Sequence, residues 1–389
     1  MPHADARTLE FAAETLPPRL LLAGTVNVNF NAVGDLLIRG DRFDNEISLG
    51  VSGSDLTITG LSGTQVRHQG MVAASQIISM ASPNSLRDVR IALLDGNDQV
   101  SLDNLTVGRH LSIKLARGGD SINLNRVDVD GNVQLDLGSA QDELTPETAT
   151  ASRLVTGGHF RLGSGSGTTL VSLSNATISG KASINTGSGH DSLNLNNVNA
   201  FGQMVVSSGA GDDTLTVNNQ RGRTSLTLRT GSGNDTLTLR RTNDLRQVRA
   251  DTGIGNDTLT FDRNNRLLAV RLSTGQGNDR LSLTRNNDID GLAISTAQGN
   301  DTLTITQSTL SVVRLNSGSG HDDATISRSS VTDLLTKLGA GNDVCSCTQN
   351  TFTGRLIASG GQGFDRLTTA SNTLPVDPAP RFLRFELVV

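Results

Sequence analysis

The sequence has no tryptophan and no tyrosine, two cysteines, almost no lysine and few glutamates. Without Trp or Tyr there are no large amphipathic rings on which sugars could stack. Two cysteines cannot make a disulfide framework. Cys345 and Cys347 stand at i and i+2, so on a strand they share a face with Cα atoms roughly 6.5–7 Å apart, near the upper limit for a disulfide. Zinc would need further ligands, and none stand nearby in sequence; the two thiols read as buried apolar side chains. No stretch approaches the ~20 apolar residues of a membrane span. The early run Leu20-Leu21-Leu22-Ala23 is too short for an ordinary signal-peptide core. A net charge of −5 with so little lysine argues against a general nucleic-acid binder.

Glycine is plentiful, at 42 residues in 389, and Asp outnumbers Glu about five to one. Both biases favour tight turns, glycine through its dihedral freedom and Asp through bonds to nearby backbone. They fall in a recurring signature, Thr230-Gly231-Ser232-Gly233-Asn234-Asp235-Thr236-Leu237, repeated as Thr252-Gly253-Ile254-Gly255-Asn256-Asp257-Thr258-Leu259. Its aspartates Asp191, Asp213, Asp235, Asp257, Asp279 and Asp301 are 22 residues apart; Asp322, Asp343 and Asp365 come next at 21, 21 and 22. Upstream, Asp98, Asp120 and Asp142 are again 22 apart. Thr169 takes the aspartate slot 27 residues after Asp142, and the five extra residues are expected in a loop within Thr145–Arg153.

The apolar residues recur with the same period. They stand two and four residues after each aspartate (Leu259/Phe261, Leu281/Leu283, Leu303/Ile305) and nine and seven before it (Val270/Leu272, Leu292/Ile294). A third apolar position comes about ten after it: Phe201, Leu245, Leu267, Ile289, Leu310, Val331 and Phe352. Alternation of this kind marks strands with one buried face. Each coil points inward three times, which implies an all-β, three-sided parallel β-helix of about 22 residues per coil, right-handed as parallel crossovers are. A nonapeptide roll would need about 18 residues per coil and two glycine turns. The outward slot three after the aspartate carries Thr216, Thr238, Thr260, Ser282 and Thr304. A stack of Asn199, Asn243, Asn265 and Asn287, eight after the aspartate, is expected to bond amide to amide.

The chain divides accordingly. Residues 1–24 read as a targeting segment and 25–88 as an N-terminal cap with degenerate first coils. Residues 89–370 form the repeat rod, and 371–389 a C-terminal capping strand. Val26, Val28 and Phe30 alternate as a first strand, and Gly40–Ile47 looks like a degenerate turn. Phe382, Leu383, Phe385 and Leu387 are available to cover the last coil.

The segment Gly231–Leu237 resembles the glycine- and aspartate-rich nonapeptide of RTX (haemolysin-type) calcium-binding proteins, G-G-x-G-x-D-x-hydrophobic-x. Thr230 and Thr252 replace the first glycine, and the motif occurs once per coil rather than in tandem. Leu16-Pro17-Pro18-Arg19-Leu20-Leu21-Leu22-Ala23-Gly24 resembles the LEPR-XLL segment that opens many exported proteins of planctomycete bacteria, with Pro17 in place of the acidic residue. These resemblances imply an extracellular or cell-surface protein that binds Ca2+ through aspartates and turn carbonyls. The candidate ligands are Asp98, Asp120, Asp191, Asp213, Asp235, Asp257, Asp279, Asp301, Asp322, Asp343 and Asp365. Stacked about 5 Å apart, these carboxylates would repel one another by about 3.5 kcal/mol per pair at an effective dielectric of 20. A cation between turns would relieve this, as would an Asx turn in which each Asp accepts the N–H groups of its own turn.

Three function classes compete. A non-catalytic, calcium-stabilised surface scaffold fits the monotony of the repeat. A polysaccharide lyase or hydrolase would need carboxylates or an arginine breaking the repeat on one outward face. Glu143 and Glu147 fall in the irregular coil, His190 and His321 occupy a turn slot, and His68, His110 and His159 have no recognisable partner, so no catalytic residues are assigned. A polyanion-binding adhesin is the third class, from the arginines of Arg221–Arg285, among them Arg229, Arg249 and Arg271, although Asp244, Asp251 and Asp262 interleave with them. The expected partners are cell-surface polysaccharide or other surface proteins.

Overall fold

A computed structural model describes residues 23–82, 86–140, 146–375 and 378–388. Strands account for 64% of the described residues and stack as parallel coils of about 22 residues, about 13 turns in all. Among the described residues no helix is long and apolar enough to cross a membrane. Register is exact from coil to coil: Leu259 lies opposite Leu281 and Leu281 opposite Leu303, Phe261 opposite Leu283 and Leu283 opposite Ile305. Leu281 and Leu283 are fully buried while Ser282 between them is half-exposed. The alternation read from the sequence therefore has the right face inward.

Each coil has three walls. In the coil of Asp257, wall 1 is Thr258–Asp262, whose Leu259 and Phe261 face the core. Wall 2 comes next with Leu267 inward, and wall 3 turns Val270 and Leu272 inward. Between walls 1 and 2 the residue six after the aspartate takes positive φ in coil after coil: Asn197, Asn219, Arg241, Arg263, Arg285, Gln307, Arg328 and Gln349. The glycine turn makes the corner between wall 3 and the next wall 1. Two slots per turn are held mostly by glycine, because the backbone there takes positive φ and the coils approach closely; Ala297 fills the first slot once, at φ +70. Gly253 has φ +103, and a Cβ there would stand 1.8 Å from the Gly231 carbonyl oxygen of the preceding coil.

Wall 2 changes allegiance along the rod. In early coils it continues wall 1 in one strand, as in Gln99–Val107 and Ser192–Ala200. In later coils it continues into wall 3, as in Asn265–Ser273 and Asn287–Ser295. The slot seven after the aspartate changes at the same place. It holds Leu105, Val127 and Val198 early and Gln220, Thr242, Asn264, Asn286 and Ser308 later, all buried.

Three expectations are corrected. The irregular coil has Glu147 in the aspartate slot, opposite Thr169, and Glu147–Ser152 is a strand rather than a loop. Ala149 and Ala151 then fall on the inward positions, so register follows the alternation rather than the next carboxylate; Asp142 and Glu143 lie outside the described residues. Phe201 is 66% exposed, and Ala200 takes the inward position. No amide–amide bond joins Asn199, Asn243, Asn265 and Asn287 across coils among the described residues. The buried asparagine ladder is one residue earlier: Asn286 Oδ1 accepts the Asn264 N–H at 3.0 Å, and Asn286 Nδ2 donates to the Phe261 carbonyl at 3.0 Å.

The N-terminal end is built by antiparallel excursions. The strand Thr25–Phe30 pairs antiparallel with Leu36–Arg39, and Glu46–Ser52 pairs antiparallel with Asp55–Leu61. Ile47 and Leu49 nevertheless pair in parallel with Val100 and Leu102, so coil geometry does begin at the degenerate turn. At the other end, Arg381–Leu383 and Leu387–Val388 add parallel strands. Phe382 and Phe385 pack on the core, while Leu383 and Leu387 are about half exposed, at 51% and 43%.

Candidate functional site

The glycine corner holds the eleven expected aspartates in one column, and their side chains point into the rod. Each is at most 3% exposed. Their first carboxyl oxygen is engaged between coils. Oδ1 of Asp213, Asp235, Asp257 and Asp279 accepts the backbone N–H of the aspartate one coil earlier at 2.8 Å. The series continues through Asp301, Asp322, Asp343 and Asp365 at 2.9–3.0 Å. Each carboxyl thus clamps the preceding coil, where an Asx turn would bond within its own. Residues without the repeat's aspartate extend the column: Asn45 and Thr169 donate to Asp98 and Asp191, and Glu386 accepts from Asp365. Asn45, Glu147 and Glu386 do not match the motif's aspartate; the alternations Ile47/Leu49 and Ala149/Ala151 carry the signal for the first two, and none follows Glu386.

The second carboxyl oxygen is orphaned. Oδ2 of all eleven aspartates is buried with no hydrogen-bond partner. Beside it lies the hydroxyl found five residues earlier in several coils. The Thr230 hydroxyl draws the Asp235 pKa down, yet its own proton goes to the Thr252 carbonyl at 3.1 Å. Thr252 stands in the same relation to Asp257 and donates to the Thr274 carbonyl at 3.2 Å. An anionic oxygen in this position is strongly disfavoured. Burial accordingly pushes the Asp120 carboxyl up to about 8 and that of Asp98 to about 7. It raises Asp213, Asp257 and Asp322 to about 6. Asp191, Asp235, Asp279, Asp301 and Asp343 are raised for the same first cause. Repulsion between stacked carboxylates, the effect that the spacing suggests, contributes less than loss of water.

The residue before most of these aspartates forms an outer ladder that runs the other way. Oδ1 of Asn234, Asn256 and Asn278 accepts the N–H of the next coil at 2.7–2.9 Å. His190 and His321 serve identically through Nδ1, accepting from Asp212 and Asn342. His110 and His159 form such a ladder with Asn132 at another corner, and His68 Nδ1 lies 3.2 Å from the Val28 carbonyl. The histidines that had no visible partner in sequence thus serve the stacking of coils. Glu147 is buried, bonded by Ser164 and raised to about 7 by burial. Cys345 and Cys347 are buried free thiols on the inward face.

Among the described residues no three Asp, Glu, His or Cys side chains gather around one point. A cation at the glycine corner would therefore draw on one carboxyl oxygen per coil and on neutral oxygens. The neutral donors present are the buried hydroxyls of Thr186, Ser208, Thr230, Thr252, Thr274, Thr296 and Ser317 and the corner carbonyls. Of the arginines, several pair on the surface. Arg240, Arg263 and Arg285 surround Asp262 at 3.0–3.7 Å, and Arg266 reaches Asp244 at 2.8 Å.

No family model matches the chain, and neither a curated protein nor a solved structure matches it significantly.

Proposed function

We propose that the protein is a non-catalytic repeat scaffold, exported or displayed at the cell surface, whose rod is stabilised when Ca2+ occupies the glycine corner. The observation that carries this reading is the column of orphaned Oδ2 atoms. An acceptor repeated in coil after coil, buried and unpaired, calls for a proton or a cation. A hard ion that takes oxygen ligands suits a site made of one carboxyl oxygen with hydroxyls and carbonyls. The aspartates would supply its charge, and Thr230, Thr252, Thr274 and Thr296 lie beside them to complete the shell. The RTX-like motif and the LEPR-XLL-like opening, most of which lies outside the described residues, support an extracellular setting. Repeat monotony supports a scaffold: the histidines and acids that could serve catalysis are spent on joining coils.

The test is the melting temperature of the purified chain at about pH 8, in chelator and in excess Ca2+. A ligand that binds only the folded state adds about 2.7 kcal/mol at a hundredfold excess over its dissociation constant. Asp257→Asn keeps an Oδ1 acceptor for Asp235 and removes the buried charge, so it should raise stability in chelator and shrink the calcium increment. A melting temperature indifferent to Ca2+ in the unmodified chain would leave protonation alone to explain the column.

A further inference from the structure

The paired arginines around Asp262 contrast with a second group. Arg229, Arg249 and Arg271 project from wall 3, and Arg223 and Arg246 lie at its edge, where wall 2 changes allegiance; all five are exposed. Among the described residues none of them has a carboxylate within ion-pair distance. Arg249 lies directly opposite Arg271 on the neighbouring coil, and Arg229 opposite Asp251. Two open grooves, of about 280 and 300 Å3, adjoin here: one runs past Arg223, Arg246 and the Asp244–Arg266 pair, the other past Arg249, Arg271 and a single carboxylate, Asp251. On a chain of net charge −5 this is a concentrated positive field.

We propose that this face binds a linear acidic polysaccharide lying along the rod. Guanidiniums stacked one coil apart, about 4.8 Å, repel each other until an anion bridges them. A planar fork matches carboxylate and sulfate better than an ammonium does, and the field is built of arginine alone. It covers three successive coils of a rigid wall, roughly 10–15 Å, so it suits an extended ligand with repeated charges. A single-stranded nucleic acid would want aromatic platforms, and the chain has no Trp or Tyr. An acidic protein would want a central apolar anchor; of the apolar side chains lining the grooves only Leu268 and the small Ala293 are exposed in part, while Leu245, Ala250, Leu272 and Ile294 are buried.

The inference assumes a rod displayed outside the cell but no bound calcium, so its test is run in chelator. Heparin and polygalacturonate are the probes, with dextran as the neutral control, on the full chain at low and high salt. Binding to both acidic glycans, weakened by salt, is expected, with none to dextran. Arg249→Glu with Arg271→Glu should weaken it about tenfold or more. Arg280→Glu with Arg366→Glu makes the same charge change on wall 1 and should alter it by less than about twofold. Unchanged melting curves verify that both variants fold. No binding at low salt, equal losses in the two variants, or retention only of nucleic acid or acidic protein would overturn the proposal. Failure of calcium to stabilise the rod would leave it standing.

Discussion

Gly253 shows how closely two coils approach at the glycine corner. Its φ of +103 is one that L side chains rarely adopt, and the Gly231 carbonyl oxygen stands 1.8 Å from where its Cβ would be. Gly53, with φ +61 and nothing within 4 Å of its Cβ position, offers the comparison. Gly53→Ala should cost about 1–2 kcal/mol, the ordinary penalty of a left-handed residue. Gly253→Ala adds a collision with the Gly231 carbonyl, so a loss larger than that at Gly53 is expected in equilibrium urea unfolding, limited by the shift in φ with which Ala297 occupies the same slot two coils later at φ +70. Similar losses at the two positions would mean that the corner has room to relax. The glycine spacing was plain in the sequence, as was the column of aspartates. The direction in which those side chains point was not legible from the motif alone. The identity of an aspartate says nothing of direction, but its parity with Leu259 and Phe261 does: Asp257, Leu259 and Phe261 share one face, and that face is inward.

At the level of walls, the rod solves the same corner twice. Every coil from Asp98 onward turns at the residue six after the slot, and the side chain next to that turn decides where wall 2 belongs. Leu105 and Val127 sit in a strand that runs on from wall 1 and keeps its ladder bonds. Asn264 and Asn286 replace that ladder with side-chain bonds, to a backbone N–H and to a carbonyl of the preceding coil. Asn286→Leu places in a late coil the residue type that early coils use. The Asn264 N–H and the Phe261 carbonyl would then lose their partners, at about 1–3 kcal/mol each. Thermal denaturation of that variant should show the deficit; a neutral outcome would mean that wall 2 can rejoin wall 1. Sequence periodicity could locate three inward stretches per coil but could not reveal this switch, because both halves of the rod keep the same spacing. The misplaced asparagine stack has the same origin. Asn265 and Asn287 are as regular as Asn264 and Asn286, and only the turn at Arg263 and Arg285 decides which of the two faces inward.

Over the whole molecule these corners add into one titrating column. The carboxyls of Asp98, Asp120, Asp213, Asp257 and Asp322 have folded-state pKa values of about 6 to 8 against 3.8 for an unburied aspartate. A raised pKa means that the folded chain holds protons which the unfolded chain gives up. Stability from this source is complete below about pH 4 and is lost as pH climbs through the folded values. In chelator the rod should therefore melt highest in mildly acidic buffer and progressively lower towards about pH 8. Most proteins with salt-bridged carboxylates move the other way over the lower part of that range. Calcium reverses the slope, because it takes the deprotonated carboxyl: its increment should grow with pH, and binding should release protons that an unbuffered titration can count. The two ligands of the orphaned oxygens thus compete, and the ratio of protons released to calcium bound reports how far the column was protonated beforehand. A melting temperature in chelator that is flat from about pH 5 to pH 8 would show that these carboxyls titrate as exposed ones do, and that water reaches so buried a corner after all.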